Sequence, residues 1–129
     1  VSDRAGIERV VMCTGKLYHQ LARSRARHQV ANTAIVRLEQ LYPFPGAAIS
    51  GLLASYPGGA EVVWAQEEPE NMGAWPFLRH RLGGLVEERR KRPLRCISRP
   101  ESTSPAVGSK AVHDAEQERL IDAILMPGA

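Results

Sequence analysis

The sequence predicts an α/β fold of three layers, α/β/α, with a mostly parallel central sheet. Two observations carry this expectation. Four short apolar runs alternate with four stretches of helical periodicity, which is the pattern of successive βα units. The runs are also almost continuously apolar, as expected of strands buried on both faces. The chain has 129 residues, 43% of them hydrophobic and 24% charged, which suits one globular domain of about 100–150 residues.

The elements follow in order. Arg9-Val10-Val11-Met12-Cys13 reads as the first strand, closed by Thr14-Gly15. A helix follows with Leu17, Leu21 and Ala22 on one face and arginines on the other. The second strand is Thr33 to Leu38, and the chain then breaks at Leu41-Tyr42-Pro43-Phe44-Pro45. Pro45 suits the first position of a helix that carries Ile49, Leu52, Leu53 and Tyr56 and stops at Pro57-Gly58-Gly59. Glu61 to Gln66 is the third strand. Beyond a polar loop comes a helix with Phe77, Leu78, Leu82, Leu85 and Val86. Gly83-Gly84 lies in its middle, at a cost of about 1 kcal/mol per glycine relative to alanine, and predicts a bend or an early end. Leu94 to Ser98 is the fourth strand. A Pro- and Ser-rich loop, Arg99 to Ser109, leads to a final helix from Val112 to Leu125, with Val112, Ala115, Leu120, Ala123 and Ile124 as its apolar residues.

Composition narrows the function classes. The formal charge is +3, and the basic residues are 14 Arg and 3 Lys. Arg23, Arg25 and Arg27 form one cluster and Arg89, Arg90, Lys91 and Arg92 another. Such clusters can bind nucleic acid or phosphate, but a solvated helix face explains them as well. Aromatic residues make up 5% of the chain and none interleave with the basic runs, so a stacking platform for nucleic acid is not expected. No stretch approaches the ~18–20 apolar residues of a membrane span. The start, Val1-Ser2-Asp3-Arg4, has no signal-peptide core and no methionine, and the chain is expected to be a piece of something longer. Cys13 and Cys96 sit in apolar runs and read as buried free thiols of a reducing compartment. His19, His28, His80 and His113 show no metal-ligand spacing with them.

Right-handed crossovers place the carboxyl ends of the strands on one edge, where open α/β sheets bind their ligands. That edge gathers Thr14, Gly15 and Lys16, then Arg37 and Glu39, then Gln66, Glu67 and Glu68, then Ser98 and Arg99. At Thr14-Gly15-Lys16 a helix N-terminus and a lysine favour an anion; a plain turn glycine before an exposed lysine is the simpler alternative. It is no P-loop, because the first glycine of that motif would fall on Val10 and Leu17 replaces the Ser or Thr. Glu67-Glu68 could supply an acid and a base, but neighbours in an extended chain point apart, and pairing with Arg37 or Arg99 is the preferred reading. His113-Asp114 opens the last helix as a capping or solvent pair. No nucleophile elbow and no Cys–His pair in motif context occurs. The residues describe an α/β domain with a possible anion site and no complete catalytic apparatus.

Four ordered segments resemble one family. They are Val10-Val11-Met12-Cys13-Thr14-Gly15-Lys16-Leu17-Tyr18, the run from Ala34 to Pro45, the run from Val63 to Trp75, and Ser104 to Ser109 before Val112-His113. Over about Glu8 to Leu125 the chain resembles the C-terminal domain of the E1 component of 2-oxoglutarate dehydrogenase, a domain of transketolase C-terminal-like fold. The resemblance implies one domain over residues 1–129, with 1–8 as a linker from a preceding domain and 126–129 as a tail. It implies a parent homodimer that uses thiamin diphosphate and Mg²⁺, decarboxylates 2-oxoglutarate and passes the succinyl group to the lipoyl group of the E2 component in the tricarboxylic acid cycle. That oxidoreductase would be cytoplasmic in a bacterium or in the mitochondrial matrix of a eukaryote. The cofactor would sit between preceding domains, so no catalytic, cofactor or metal residue is assigned here and this chain alone is expected to be inactive. A dimerisation and regulatory role is implied, with AMP or acetyl-CoA as effector, and the strand-edge residues Lys16, Arg37, Gln66 and Arg99 are the candidates to hold it. Two positions depart from the family pattern: Met72 stands for the usual Gln, and Glu101 for the usual Ala. Relatives acting on 2-oxoadipate can carry Met at the first, so that substrate is an alternative. A stand-alone nucleotide-binding module is another.

Overall fold

The computed structural model describes residues 4–90, 92–100 and 110–126. After a 3-10 turn at Arg4–Gly6, the elements are β1 Arg9–Cys13, α1 Lys16–Arg27, β2 Thr33–Arg37, α2 Gly46–Ala54, β3 Glu61–Ala65, α3 Trp75–Arg89, β4 Arg95–Ile97 and α4 Lys110–Leu125. The four strands form one parallel sheet in the order β2-β1-β3-β4. The expected three-layer fold is therefore present, and every strand lies within a residue or two of its expected bounds.

Strand alternation divides the interior into two cores. Val10, Met12, Val62 and Trp64 face α2 and α3, where Ile49, Leu53, Leu78, Leu82 and Val86 meet them. Val11, Cys13 and Ala65 face α1 and α4, against Leu17, Leu21, Leu120, Ile124 and Leu125. The central strands β1 and β3 are buried along nearly their whole length, as expected. The edge strands correct the expectation of burial on both sides: β2 ends at an exposed Arg37, and β4 is half-buried at best. Among the described residues neither has a strand neighbour on its outer side.

Three further readings change. The glycines at 83 and 84 do not end or split α3, which runs unbroken to Arg89. Leu78, Leu82 and Val86 recur on one buried stripe on both sides of the glycines, and burying such side chains, at about 1.5–3 kcal/mol each, outweighs the glycine cost. Pro45 sits one residue ahead of the helix, at its N-cap, and Gly46 opens α2. In α4 only Leu120, Ile124 and Leu125 are buried; Val112, Ala115 and Ala123 face solvent. The Ser-rich part of the loop before α4, with Glu101, and the tail from residue 127 lie outside the described residues. At the other end, Ile7 is already in the core at 2% exposure.

The amino edge of the sheet is closed by arginine. Arg9 opens β1 at 3% exposure and donates from Nη1 to the carbonyls of Ala123 and Ile124, both at 2.9 Å. Its guanidinium also pairs with Glu61 at 2.8 Å, and Glu61 in turn meets Arg95 at 3.2 Å. Thr33 Oγ1 donates to the Leu125 carbonyl at 2.9 Å. Together these satisfy carbonyls at the end of α4 that the helix leaves unpaired. Arg90 corrects the reading of residues 89–92 as one exposed cluster. It is turned inward at 8% exposure and donates to the carbonyls of Leu53, Pro57 and Ala60, and burial holds its pKa below the usual value.

Candidate functional site along the carboxyl edge

The carboxyl edge is built on the turns that leave the strands. After β1, Gly15 adopts φ 64° and ψ −147°, a conformation that glycine takes at little cost. It lets the chain turn straight into α1. Among the described residues no side chain caps α1, and its first turn contains no acidic residue, so its N-terminal N–H groups have no side-chain acceptor there. Lys16 is the first helical residue and is exposed. Arg37 closes β2 with its Cζ 5.9 Å from the centre of the Tyr18 ring, over the first turn of the same helix. Two cations thus stand beside one uncapped helix N-terminus.

Arg99 takes part in a network on the other flank of α1. It pairs with Glu116 at 3.3 Å and donates to the Gln117 side-chain carbonyl. Gln117 Nε2 donates to Gln20 Oε1 at 2.6 Å and to Glu67 Oε1 at 2.9 Å. Gln20 lies four residues beyond Lys16, on the same side of the helix. Gln117 thereby joins β3, β4, α1 and α4. Glu67 therefore receives an amide, and among the described residues neither it nor Glu68 forms the expected ion pair with Arg37 or Arg99. His113 and Asp114 are exposed in the first turns of α4.

Gln66 stands apart from the other three candidates. It has the strand parity of Trp64 and faces α3, whereas Arg37, Arg99 and Lys16 belong to the α1 and α4 side. Its side chain is 4% exposed and makes five hydrogen bonds. Oε1 accepts from the Trp64 indole at 2.9 Å and from the Trp75 backbone N–H at 3.0 Å. Nε2 donates to the carbonyls of Glu68, Pro69 and Met72. The amide holds the loop between β3 and α3 in place. Gly73 completes the loop at φ +66°, where an added Cβ would lie 3.1 Å from Gln66 Oε1 and from Glu68 Cδ.

Neither thiol at this end is an activated nucleophile. Burial pushes Cys13 up to about 12 against the opposing charge of Arg37. Burial pushes Cys96 up to about 11; a hydrogen bond with Ser98 acts the other way, and the Glu70 charge adds to the rise. Several hollows open along the edge. One of about 430 Å³ runs from Arg37 to Pro45, and one of about 330 Å³ lies between Glu70, Ser98 and Arg99.

Gln20 and Gln117 were not among the sequence candidates. Gln117, Leu120, Ile121 and Ile124 follow helical spacing, so a polar residue on the inward stripe of α4 was the available signal.

With this geometry established, comparison with known proteins decides the family. The sequence model for the 2-oxoglutarate dehydrogenase C-terminal family matches residues 1–125. The chain belongs to that family. It is 44% identical over 117 residues to the 2-oxoglutarate dehydrogenase E1 component of Cupriavidus necator, covering 91% of this chain and 12% of that protein. The E1 component of Geobacillus kaustophilus is 43% identical over 121 residues, 93% of this chain and 12% of that protein. The E1/E2 component of Corynebacterium glutamicum is 40% identical over 122 residues, 95% of this chain and 10% of that protein. The chain thus spans only a small part of the length of the curated relatives it matches. Among solved structures, a chain described as "Split gene transketolase, inactive beta4 tetramer" superposes with a TM-score of 0.58 at 12% identity, covering 95% of this chain and 40% of that one. That likeness shows the transketolase-like fold. No helix among the described residues is long and apolar enough to cross a membrane.

Proposed function

We propose that this chain is the C-terminal dimerisation and regulatory domain of a 2-oxoglutarate dehydrogenase E1. The match of the family model to residues 1–125, with identities of 40–44% to E1 proteins, carries the reading. On this reading the parent decarboxylates 2-oxoglutarate with thiamin diphosphate and Mg²⁺, and succinylates the lipoyl group of its E2 partner in the tricarboxylic acid cycle. Its compartment would be the cytoplasm of a bacterium. Among the described residues no three His, Cys, Asp or Glu side chains converge as ligands. On this reading thiamin diphosphate and Mg²⁺ are held between the preceding domains of the parent. The contribution of this chain is to pack against the preceding domains and the second protomer, and to respond to an effector.

The effector reading rests on the α1 N-terminus. A phosphate of AMP or acetyl-CoA would accept from the uncapped N–H groups of α1 and be held by Lys16 and Arg37. Arg99 would join only by releasing Glu116 and Gln117, and Gln66 would act by keeping the β3–α3 loop in shape. Calorimetric titration of the chain with AMP and with acetyl-CoA tests this. Saturable heat that weakens on Lys16→Ala is expected; no heat at millimolar ligand counts against an effector site in this chain. Thiamin diphosphate, Mg²⁺ and 2-oxoglutarate should give no turnover with the chain alone, and clear turnover would overturn the assignment to a non-catalytic domain.

A further inference from the structure

A crevice of about 300 Å³ opens between the β2–α2 and β3–α3 loops, on the opposite side of the sheet from Lys16 and Arg37. Its lining includes Thr14, Tyr42, Trp64, Phe77 and Glu68. Three of these are aromatic, and among the described lining residues the Glu68 carboxylate is the one charged group. Glu68 has no ion pair among the described residues. Its carboxyl carbon is held over Gly73, 3.1 Å from where a Cβ would stand, and the Gln66 amide fixes the backbone on either side. The carboxylate is therefore presented by a braced loop.

Tyr42, in the lining, is 70% exposed, and Met72, the chain neighbour of the lining residue Gly73, is 57% exposed. Among the described residues these are the large apolar side chains most open to water. Tyr42 leans on Phe77 with ring centres 4.4 Å apart. Phe77 also carries the Arg81 guanidinium, its Cζ 4.0 Å from the ring centre, so a ring in this wall is already stacked by a guanidinium. An unpaired carboxylate among aromatic rings attracts a cation, and a planar guanidinium matches both better than an ammonium does. The volume is at the lower limit of ligand pockets and suits a single side chain. A free small molecule would leave the apolar surfaces of Tyr42 and Met72 uncovered, whereas flanking residues of a polypeptide would cover them.

We propose that this crevice is a docking pocket for an arginine side chain on a polypeptide segment outside residues 1–129, with the guanidinium on Glu68 and the segment's apolar neighbours on Tyr42 and Met72. The test is a titration of the ¹⁵N-labelled chain, followed by NMR, with three probes: acetyl-Leu-Arg-Leu-amide, the same peptide with citrulline for arginine, and acetyl-arginine methylamide. The arginine peptide should give saturable shifts at Glu68, Gly73 and the Trp64 indole. The citrulline peptide should bind at least about tenfold more weakly, because a charge-assisted bond is roughly twice as strong as a neutral one. The single amino acid should also bind more weakly than the peptide, and Tyr42→Ser should remove that difference. Glu68→Gln, a change at an exposed side chain, should retain the native spectrum and abolish the preference for arginine over citrulline. Equal binding of the two peptides, or shifts unaffected by Glu68→Gln, would overturn the guanidinium site. A single amino acid that binds as well as the peptide would overturn the polypeptide partner. Absence of localised shifts would overturn both.

Discussion

The two edges of the sheet carry similar charges and use them differently. At the amino edge, Arg9, Glu61 and Arg95 form a chain of ion pairs whose inner members are largely buried, and Arg9 and Thr33 take up the last carbonyls of α4. Arg90 does the same for the end of α2. At the carboxyl edge, Lys16 and Arg37 are exposed beside an uncapped helix, and hollows open between the loops. A buried guanidinium must be paired from within the protein; an exposed one keeps its hydrogen-bonding capacity for something else. The difference separates arginines that fold the domain from those able to serve a ligand.

Removing a guanidinium from the closed edge has the largest expected effect. Arg9→Ala leaves Glu61 without its nearest partner and the carbonyls of Ala123 and Ile124 without donors. Losing one member of a buried pair costs about 3–5 kcal/mol, so the midpoint of urea unfolding should fall sharply. An unchanged midpoint would show that the amino edge is not held by these contacts, and the contrast between the edges would be lost. Arg9→Met, which keeps the volume without the charge, should still be destabilising because Glu61 remains.

The next effect lies in the braced part of the open edge. Gln66→Ala removes an acceptor from the Trp64 indole and the Trp75 amide, and a donor from three loop carbonyls. A buried group left unsatisfied costs about 1–3 kcal/mol. Hydrogen exchange at the Trp75 amide should accelerate more than exchange in β1. Uniform acceleration would mean that Gln66 supports the whole fold and has no special hold on the loop.

Cys13 stands at the boundary between the closed core and the open edge, and its burial predicts a pH effect. Its folded-state pKa is pushed from the ordinary 9.0 to about 12. The unfolded thiol ionises first, so this contribution to stability is intact below about pH 9 and is lost as pH rises toward about 12. Iodoacetamide should label Cys13 far more slowly in the native chain than in urea at pH 8. Cys96, half-buried and raised to about 11, should be the faster of the two. Equal native and denatured rates at Cys13 would place it at the surface.

The fold was readable because hydrophobic periodicity is a local signal. Each strand run could be recognised from five or six consecutive residues, and the Thr14-Gly15 turn from its glycine. The site was only partly readable. Crossover handedness correctly brought Lys16, Arg37, Gln66 and Arg99 to one edge, but an edge has two sides. The alternation of Trp64 inward to α3 and Ala65 inward to α1 already put Gln66 opposite Arg37. Strand parity alone therefore separates Gln66 from Arg37. Arg90 could not be placed in the same way. Its neighbours suggest a solvated run, and only the close passage of Leu53, Pro57 and Ala60 in three dimensions turns it inward. Glu67 likewise meets Gln117, a partner fifty residues distant, for which the charge pattern offered two nearer arginines.

The smallest stability effect gives the sharpest comparison. Lys16 is exposed and forms no ion pair among the described residues, so Lys16→Ala should change stability by no more than about 0.5 kcal/mol. It should nonetheless weaken AMP or acetyl-CoA binding by the loss of a charge-assisted bond, worth about 1.5–3 kcal/mol when the charged group is well placed. Arg9→Ala reverses the pattern, with a large stability loss and little change in affinity while the chain stays folded. Measuring both variants in both assays separates the edges by function. If Lys16→Ala lowers the melting temperature as Arg9→Ala does, the lysine is part of the fold. If neither variant alters effector affinity, the uncapped α1 terminus is not where the phosphate is held.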